Sequence, residues 1–435
     1  MKALLPLLLL QFSIFNCIHA QPIETAFEDV KNLCLPEMAG RGYQNAGHKI
    51  AAQYIFNRFQ KLGLTPGIEK TNYYSEGYQY FSFTVNLCQK AKVILDNKPL
   101  KPGIDFILYP ASGSFQGCLD FENLDYGMGE DWEGSKVKGK AVYTQLGYPE
   151  DYSTKSIPQK IFEPQTKPAF KLKMASEYKA GALFMGREKL TASFSGYSYP
   201  FPIIEVISNK HKWQKIRKAE LDIQMQIDTV NSQNIVFSIP GNIDSDSIII
   251  ICAHYDHLGK QDSAIFFGAN DNASGIAFML GLADRYSTQI KPDQTLVFIA
   301  FGGEEAGLKG SNYFANKIPT DIKSRIRYVL NFDLMGNGVD GITVVGGVEN
   351  PELFNKLEKS NAEHLYIKQI SKRGNAPNSD HYPFTQIGVP AIFIYTQGGP
   401  PFYHDVYDVP DQVRFPEWED LNSLISELIP GKKIK

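Results

Sequence analysis

The chain has 435 residues, of which 43% are hydrophobic and 21% are charged, and its formal net charge is -3. This composition predicts a globular protein with enough apolar material for two or more domains. It argues against nucleic acid as a partner, because Lys and Arg are spread along the chain without the basic runs that bind phosphate backbones.

The N-terminal segment MKALLPLLLLQFSIFNCIHAQ has the pattern of a secretory signal peptide. A single Lys precedes an apolar run that ends in Ile18, His19 and Ala20, which predicts cleavage after Ala20. Lipid attachment at Cys17 is the less favoured alternative, because Asn16 is larger than the residue that such sites prefer. We find no other segment long and apolar enough to span a membrane. We therefore expect an exported protein, periplasmic or extracellular.

Four of the 5 cysteines lie after the signal peptide, at Cys34, Cys88, Cys118 and Cys252. So few cysteines in so long a chain do not form a disulfide framework, and any bridge is expected to be accessory. Cys252 lies within SIIIICAHYDH and is predicted to be a small buried hydrophobic residue.

The chain after the signal peptide divides into three regions. Residues 21–98 contain apolar side chains at helical spacing, such as Ile55, Phe59 and Leu62, and the pattern ends at Gly63, which predicts an amphipathic helix. Residues 99–230 contain short β-rich runs such as KAVYTQL and GALFMG between Gly, Pro and Asp clusters, which predicts an inserted domain. Residues 231–435 would complete the domain that begins with 21–98.

Strands and helices alternate in this third region, through SIIIICAHYDH, GIAFMLGLADRYS, TLVFIAFG, YVLNFDLMG and PAIFIYTQGG. Strands that are apolar along their whole length are typical of a mostly parallel sheet covered by helices on both faces. We therefore predict an α/β fold with such a central sheet.

Acidic, imidazole and phenol side chains follow the strands of this predicted sheet or begin the next helix. Since ligands bind beyond the carboxyl ends of parallel strands, we expect these side chains to lie close together. In chain order they are His254, Asp256, His257, Asp271, Glu304, Glu305, Asp333, Tyr403, His404 and Asp408.

Such a cluster would be unfavourable without a cation, because the carboxylates would repel one another and lose hydration. Imidazole and carboxylate ligands suit zinc, and two histidines with three acids are too many for one catalytic ion. We therefore predict two zinc ions per chain that share a bridging carboxylate. Adjacent side chains diverge in extended backbone, so Glu305 is predicted to bind metal while Glu304 acts as the general base.

Spacing alone leaves several assignments open. A buried core role is an alternative for His254, although Asp256 is placed to orient its ring as an acceptor. A turn cap is the alternative role for Asp333, and His381 in NSDHYPF competes with His404 for the last ligand position. The sequence contains neither Gly-x-Ser-x-Gly nor His-Glu-x-x-His, which disfavours a serine hydrolase and the commonest class of zinc peptidase.

The segments AHYDH, GANDNASG, FGGEEAGLKGS, NFDLMG and YHDVYD resemble the zinc aminopeptidase and carboxypeptidase family that includes bacterial leucyl-type aminopeptidases and glutamate carboxypeptidase. The similarity runs from Gln233 to about Val413 and includes EMAGRGYQNAGHKIAAQYIFNRFQKLGLTPG near the N-terminus. Within the insert, KVKGKAVY and MASEYKAGALFMG resemble the protease-associated domain that many members carry.

The resemblance implies a zinc pair with Glu304 as the base. It favours His404 over His381, because family members have their last ligand in a His-x-x-x-Asp setting like that from His404 to Asp408. Tyr403 resembles a tyrosine that some relatives use to stabilise the oxyanion. The implied ligands are His254 and Asp333 on one ion, Glu305 and His404 on the other, and Asp271 on both.

The expected function is hydrolysis of peptide substrates by a secreted aminopeptidase. Within the family, the alternatives are a carboxypeptidase or dipeptidase, and a glutaminyl cyclase that works with a single zinc. Receptor-like relatives that have lost ligands and only bind partners are a further alternative, but the five ligands and the base are all retained here.

Overall fold

The structure is a computed structural model, and it describes residues 23–148, 163–242 and 246–434. The predicted signal peptide, residues 1–20 with Cys17, lies outside the described residues. Within the described part, every helix is too short or too polar to cross a bilayer.

The strands are numbered in chain order. They are β1 (Thr65–Pro66), β2 (Tyr78–Leu95), β3 (Lys98–Pro99), β4 (Phe106–Leu108), β5 (Phe115–Asn123), β6 (Ala141–Gln145), β7 (Ala182–Arg187), β8 (Ile203–Ile207), β9 (Lys218–Ile239), β10 (Ile248–His254), β11 (Gly259–Gln261), β12 (Ala264–Phe266), β13 (Ile290–Pro292), β14 (Thr295–Phe301), β15 (Ile326–Phe332), β16 (Ile342–Val345), β17 (Ile370–Arg373), β18 (Ala391–Thr396) and β19 (Gly431–Lys433).

The described α-helices are named by their bounds. They are Ile23–Leu33, Gly47–Lys61, Gly134–Val137, Pro168–Glu177, Ser274–Thr288, Lys309–Lys317, Thr320–Lys323, Pro351–His364, Tyr382–Gln386 and Trp418–Ser426. The helix Gly47–Lys61 buries Ile55 and Phe59, and it ends two residues before Gly63, where the sequence pattern predicts the end of an amphipathic helix.

The central sheet has the strand order β17-β16-β18-β15-β10-β14-β9. The strands β18, β15, β10 and β14 are parallel to one another. At the two ends of this row, β9 runs antiparallel to β14, and β16 runs antiparallel to β18 but parallel to β17. This is the mostly parallel α/β sheet that the sequence predicts.

Helices cover both faces of the sheet, which is why β10 and β14 are buried along their whole length. On one face the sheet packs against Ile23–Leu33, Gly47–Lys61, Ser274–Thr288 and Trp418–Ser426. On the other face it packs against Lys309–Lys317 and Tyr382–Gln386. Burial of apolar side chains on both sides contributes roughly 1.5–3 kcal/mol for each large residue.

The strands β2 and β9 join the central sheet to the inserted segment. They pair antiparallel from Tyr78 and Ile235 to Leu95 and Ala219. The first half of β9 also pairs with β5, and the second half with β14. The predicted boundary between residues 230 and 231 therefore falls inside one continuous strand of 22 residues.

The inserted segment has hydrophobic cores of its own. Beyond β9 the strand order is β5-β6-β7-β8-β4, with β5 to β8 parallel. Phe184 and Leu221 belong to one core, and Trp132 and Leu183 belong to another. The assignment of this segment to a protease-associated domain stays a prediction.

The four cysteines of the described residues are free thiols in the structure. Cys34, Cys88 and Cys252 are buried, and Cys118 is exposed. Cys252 lies inside β10 without solvent exposure, so its predicted burial is confirmed.

Candidate active site

Parallel strands bring the candidate residues to one edge of the central sheet. β10 ends at His254, and its register places that residue beside Phe301 at the end of β14. Glu304 follows Phe301 by three positions, and Asp333 directly follows the end of β15. Residues that are up to 79 positions apart in the chain therefore converge because their strands stop at the same edge.

Asp271 lies between two histidines. Its Oδ1 is 3.4 Å from Nε2 of His254, and its Oδ2 is 3.1 Å from Nε2 of His404. The backbone N–H of Asp271 donates to Oδ2 of Asp408 at 2.9 Å, and the backbone N–H of Asn270 donates to Oδ1 of the same Asp408 carboxylate at 2.8 Å. Asp408 thus fixes the backbone that directs the Asp271 carboxylate between the two rings.

The first group of possible metal ligands contains His254 and Asp333. Their Nε2 and Oδ1 atoms are 3.4 Å apart, and this Oδ1 is buried without a hydrogen-bond partner among the described residues. Ser379 donates to the other oxygen, Oδ2, at 2.9 Å. Glu304 belongs to the same group, because ligand atoms of His254, Glu304 and Asp333 all lie within 4.8 Å of one another. The predicted base is therefore within metal-binding distance of the first group.

The second group contains Glu305 and His404, whose Oε2 and Nε2 atoms are 3.2 Å apart. His257 approaches the same carboxylate, with Nδ1 at 2.7 Å from Oε1 of Glu305. Ligand atoms of His257, Asp271 and Glu305 also lie within 4.8 Å of one another, so distance alone does not separate His257 from His404.

The hydrogen bonds of the two rings do separate them. Nδ1 of His404 lies 2.9 Å from the main-chain oxygen of Ala192, which leaves Nε2 directed at the carboxylates. This is the usual arrangement of a metal-binding histidine. His257 instead uses Nδ1 to contact Glu305, so we interpret it as a residue that orients this carboxylate. Sequence reasoning gave His257 no role, although it is the second histidine of AHYDH.

Asp256 positions the turn that carries the two glutamates. Its carboxylate accepts hydrogen bonds from the backbone N–H of Glu304 at 3.1 Å and of Glu305 at 3.2 Å, and from the Tyr43 hydroxyl at 2.6 Å. Nδ1 of His254 contacts the main-chain oxygen of Asp256, at 3.2 Å. Asp256 therefore accepts from the His254 ring through its main-chain oxygen, while its carboxylate is bound by three other donors. Tyr43 was missed by sequence reasoning.

The pKa shifts at the site reflect burial and the charges of neighbouring side chains. Burial raises the pKa of Glu304 well above its ordinary value. The charge of His254 lowers this pKa, and the charge of Glu305 raises it further. Burial would lower the pKa of His404, but the carboxylates of Glu305 and Asp271 raise it to about 9. A cluster that draws protons onto its imidazoles in this way would also attract metal cations.

Tyr403 lies beside the candidate ligand His404, whereas His381 is buried away from the carboxylates that His404 contacts. Tyr403 stacks on His404 with ring centroids 3.9 Å apart, and it is 47% exposed. His381, the competing candidate for the last ligand, is fully buried, and neither ring nitrogen has a hydrogen-bond partner in the described structure. Burial lowers the pKa of His381 to about 4. The carboxylates contacted by His404 are not contacted by His381 within the described ion pairs.

A cavity of about 210 Å³ opens onto these groups. Its remaining walls are polar and apolar side chains from the loops and from β17 and β18. These are Leu334, Arg373, Asn378, Phe393, Tyr395 and Tyr403. A neighbouring cavity of about 580 Å³ shares Leu334, Tyr395 and Tyr403 with it.

Comparison with known proteins finds a family model that matches part of the chain. Residues 234–429 match the model of peptidase family M28. The chain is 26% identical over 271 residues to aminopeptidase YwaD of Bacillus subtilis, which covers 59% of this chain and 57% of the relative. It is 32% identical over 158 residues to leupeptin-inactivating enzyme 1 of Streptomyces exfoliatus, and this alignment covers 36% of this chain and 34% of that enzyme. The alignments thus span less than two thirds of these relatives.

Solved structures show a similar fold over nearly the whole chain. A zinc aminopeptidase from Bacillus subtilis superposes with a TM-score of 0.70 at 20% identity, covering 93% of this chain and 95% of that one. An aminopeptidase from Aneurinibacillus sp. strain AM-1 gives a TM-score of 0.64 at 20% identity, covering 94% and 95%. The predicted fold class is confirmed.

The donor set fits a pair of zinc ions. It offers imidazole nitrogens and carboxylate oxygens in two groups. The buried Oδ1 of Asp333 has no hydrogen-bond donor among the described residues, and a bound cation would supply its missing partner. The residues present therefore fit the zinc cofactor that the sequence predicts.

Proposed function

We propose that the chain, whose residues 234–429 match the model of peptidase family M28, is a zinc aminopeptidase of that family that removes N-terminal residues from peptides. The observation that carries the proposal is the position of Asp271 between His254 and His404, with Glu304 beside the first of them. The similarity to aminopeptidase YwaD supports an aminopeptidase over the other activities in the family.

We assign two ligand groups to the zinc ions. When bound, such ions lower the pKa of a shared water and polarise the carbonyl of the substrate. Asp271 would bind both ions, as its two oxygens face different histidines. The remaining ligands are His254 and Asp333 on one side, and Glu305 and His404 on the other.

Glu304 acts as the proton carrier in this proposal. Its carboxylate accepts the proton of the attacking water and later donates it to the nitrogen of the departing amine. The peptide C–N bond breaks, and both products leave as free acid and free amine. Asp256 supports this step, because its hydrogen bonds to the N–H groups of Glu304 and Glu305 fix the turn from which both carboxylates project.

Tyr403 is proposed to donate a hydrogen bond to the oxygen that becomes negative as the carbonyl is attacked. It lines the cavity beside His404, and its stacking on that ring fixes its direction. Tyr403→Phe should lower kcat with little change in zinc content. An unchanged kcat would remove Tyr403 from the reaction.

The variant Glu304→Gln tests the proposal directly. It should retain two zinc ions per chain while kcat on leucine anilide falls by roughly 10²- to 10⁴-fold, the usual loss when a general base is removed. Glu358→Gln, at an exposed position of the helix Pro351–His364, is the matched control and should keep full activity. A Glu304→Gln variant that turns over normally would refute the assignment.

Substrate blocking separates the aminopeptidase from its alternatives. Acetylation of the peptide N-terminus should abolish cleavage by an aminopeptidase and leave a carboxypeptidase active. Formation of pyroglutamate from an N-terminal Gln, with one zinc per chain, would instead indicate a cyclase. Export is also part of the proposal, and N-terminal sequencing of secreted protein should begin at Gln21.

A further inference from the structure

Arg373 supplies a positive charge to the cavity that faces the candidate zinc ligands. It lines the same cavity as His254, Glu304 and Tyr395. Its Nη1 donates to the Tyr395 hydroxyl at 3.2 Å, which directs the guanidinium along this wall. Among the residues that line this cavity, as far as the structure describes them, Arg373 is the one with a permanent positive charge.

The strand register explains why Arg373 reaches the cavity. Arg373 ends β17 and lies beside Val345 of β16, which in turn pairs with Phe393 of β18. Phe393 forms part of the cavity wall. Side chains alternate along a strand, and the preceding Lys372 accordingly takes another direction, with Nζ 4.7 Å from the ring centroid of Phe354.

The Arg373 guanidinium has no carboxylate partner within ion-pair distance among the described residues. Glu349, on the adjoining loop, accepts a hydrogen bond from the N–H of Asn375 at 3.0 Å. The acids that line the cavity are Asp271, Glu304 and Asp333, which are assigned to zinc binding and proton transfer. The charge of Arg373 is therefore available to a ligand.

We propose that Arg373 binds a carboxylate of the substrate while the scissile carbonyl lies at the zinc ligands. The planar guanidinium offers paired N–H donors that match a carboxylate. Leu334 and Phe393 provide apolar walls for the methylene groups between the two ends. The carboxylate belongs either to an acidic N-terminal side chain or to the C-terminus of a dipeptide. This inference rests on the proposed peptidase function and names its substrate class.

Two substrate pairs distinguish these sources. Glutamyl and glutaminyl anilides differ only in a side-chain carboxylate, and Leu-Gly and its amide differ only in a C-terminal one. A hydrogen-bonded charge pair corresponds to roughly a 10- to 100-fold preference in kcat/KM for the acidic member. We expect that preference in one of the two pairs.

The variant Arg373→Gln should bring the preferred ratio close to one. Lys372→Gln removes the same charge from the neighbouring position and should retain the ratio of the wild-type protein. Equal rates within both pairs in the wild-type protein, or a ratio that survives Arg373→Gln, would overturn the inference even though peptides are cleaved.

A binding measurement keeps the inference testable if no peptide is cleaved. Calorimetry on the zinc-loaded protein compares L-glutamate with L-glutamine, and D-Leu-Gly with its amide. Tighter binding of one acidic ligand that is lost in Arg373→Gln supports carboxylate recognition, even where the peptidase proposal fails. Equal affinities within both pairs refute carboxylate recognition.

Discussion

Ala192 and His404 exchange two hydrogen bonds. The N–H of Ala192 donates to the main-chain oxygen of His404 at 2.9 Å, and Nδ1 of His404 lies 2.9 Å from the oxygen of Ala192. A carbonyl oxygen only accepts, so Nδ1 carries the proton and Nε2 is free to face Asp271 and Glu305. Ala192 belongs to the inserted segment, which therefore sets the tautomer and direction of a candidate zinc ligand.

Lys189 holds the two chain segments together at this point. Its Nζ forms an ion pair with Asp405 at 2.9 Å and donates to the main-chain oxygens of Pro401 at 2.6 Å and Tyr403 at 3.1 Å. We predict that Lys189→Met lowers the affinity of the second zinc about 10-fold, the lower end of the effect of removing a partner that orients a ligand. Titration against a competing chelator measures this affinity.

The control for this variant is Lys140→Met, because Lys140 also belongs to the insert and pairs with an acid, Glu122, at 3.0 Å. It lies outside the candidate site and should leave both zinc affinities unchanged. Equal affinities in the Lys189 and Lys140 variants would show that the insert does not support the metal site.

Removal of Asp271 should affect both zinc ions, because its two oxygens face two different histidines. We expect Asp271→Ala to bind less than one zinc per chain at the concentrations that fill the wild-type protein. His404→Ala, which removes a ligand of one ion only, should retain about one. Elemental analysis after dialysis measures both values, and two zinc ions in the Asp271 variant would contradict a bridging role.

Chelation should destabilise the folded protein. Asp271, Glu304, Glu305 and Asp333 lie together, and the repulsion among their carboxylates remains when the cations leave. Zinc at 100 times its dissociation constant stabilises the native state by about 2.7 kcal/mol per site. We predict a lower melting temperature in strong chelator and its recovery when zinc is restored. An identical melting temperature in both conditions would argue against metal at this site.

The sheet edge and the acids on it were predictable from the sequence, because an unbroken run of apolar residues indicates a buried parallel strand. Glu304 and Glu305 follow such a run, and Asp333 follows another. The ends of parallel strands coincide, so no further information was needed to bring these side chains together.

Other contacts were not predictable, because they depend on how separate segments pack. Tyr43 reaches Asp256 from 213 positions away, and Ala192 reaches His404 from 212 positions away. Neither Tyr43 nor Ala192 lies in a periodic sequence pattern that would indicate such a contact. Arg373 ends a strand only four residues long, and the sequence of this strand, ISKR, gives no sign that one side chain lines a cavity. A single sequence specifies such contacts only through the complete fold.

Lys171 is a buried cation in the insert, and it provides a test of the pH dependence of stability. Its ammonium group donates to the main-chain oxygen of Gly127 at 2.9 Å and to that of Tyr126. Burial lowers the pKa of Lys171 from 10.5 to about 8. Between these two values the unfolded chain binds more protons at this position than the folded protein does. The contribution of Lys171 to stability therefore increases as the pH rises above about 8.

We predict that the free energy of unfolding of the wild-type protein, minus that of Lys171→Met, increases between pH 8 and 9.5. The slope should be at most about 1.4 kcal/mol per pH unit, the value for one proton. The subtraction removes the contribution of tyrosines that titrate in the same range. Urea unfolding followed by tryptophan fluorescence suits the measurement, since Trp132 donates to the same Gly127 oxygen at 2.8 Å. Lys173→Met, which alters an exposed lysine of the same helix, should give no slope. If the difference in unfolding free energy for the Lys171 variant is also independent of pH, the pKa of Lys171 is not lowered in the folded protein.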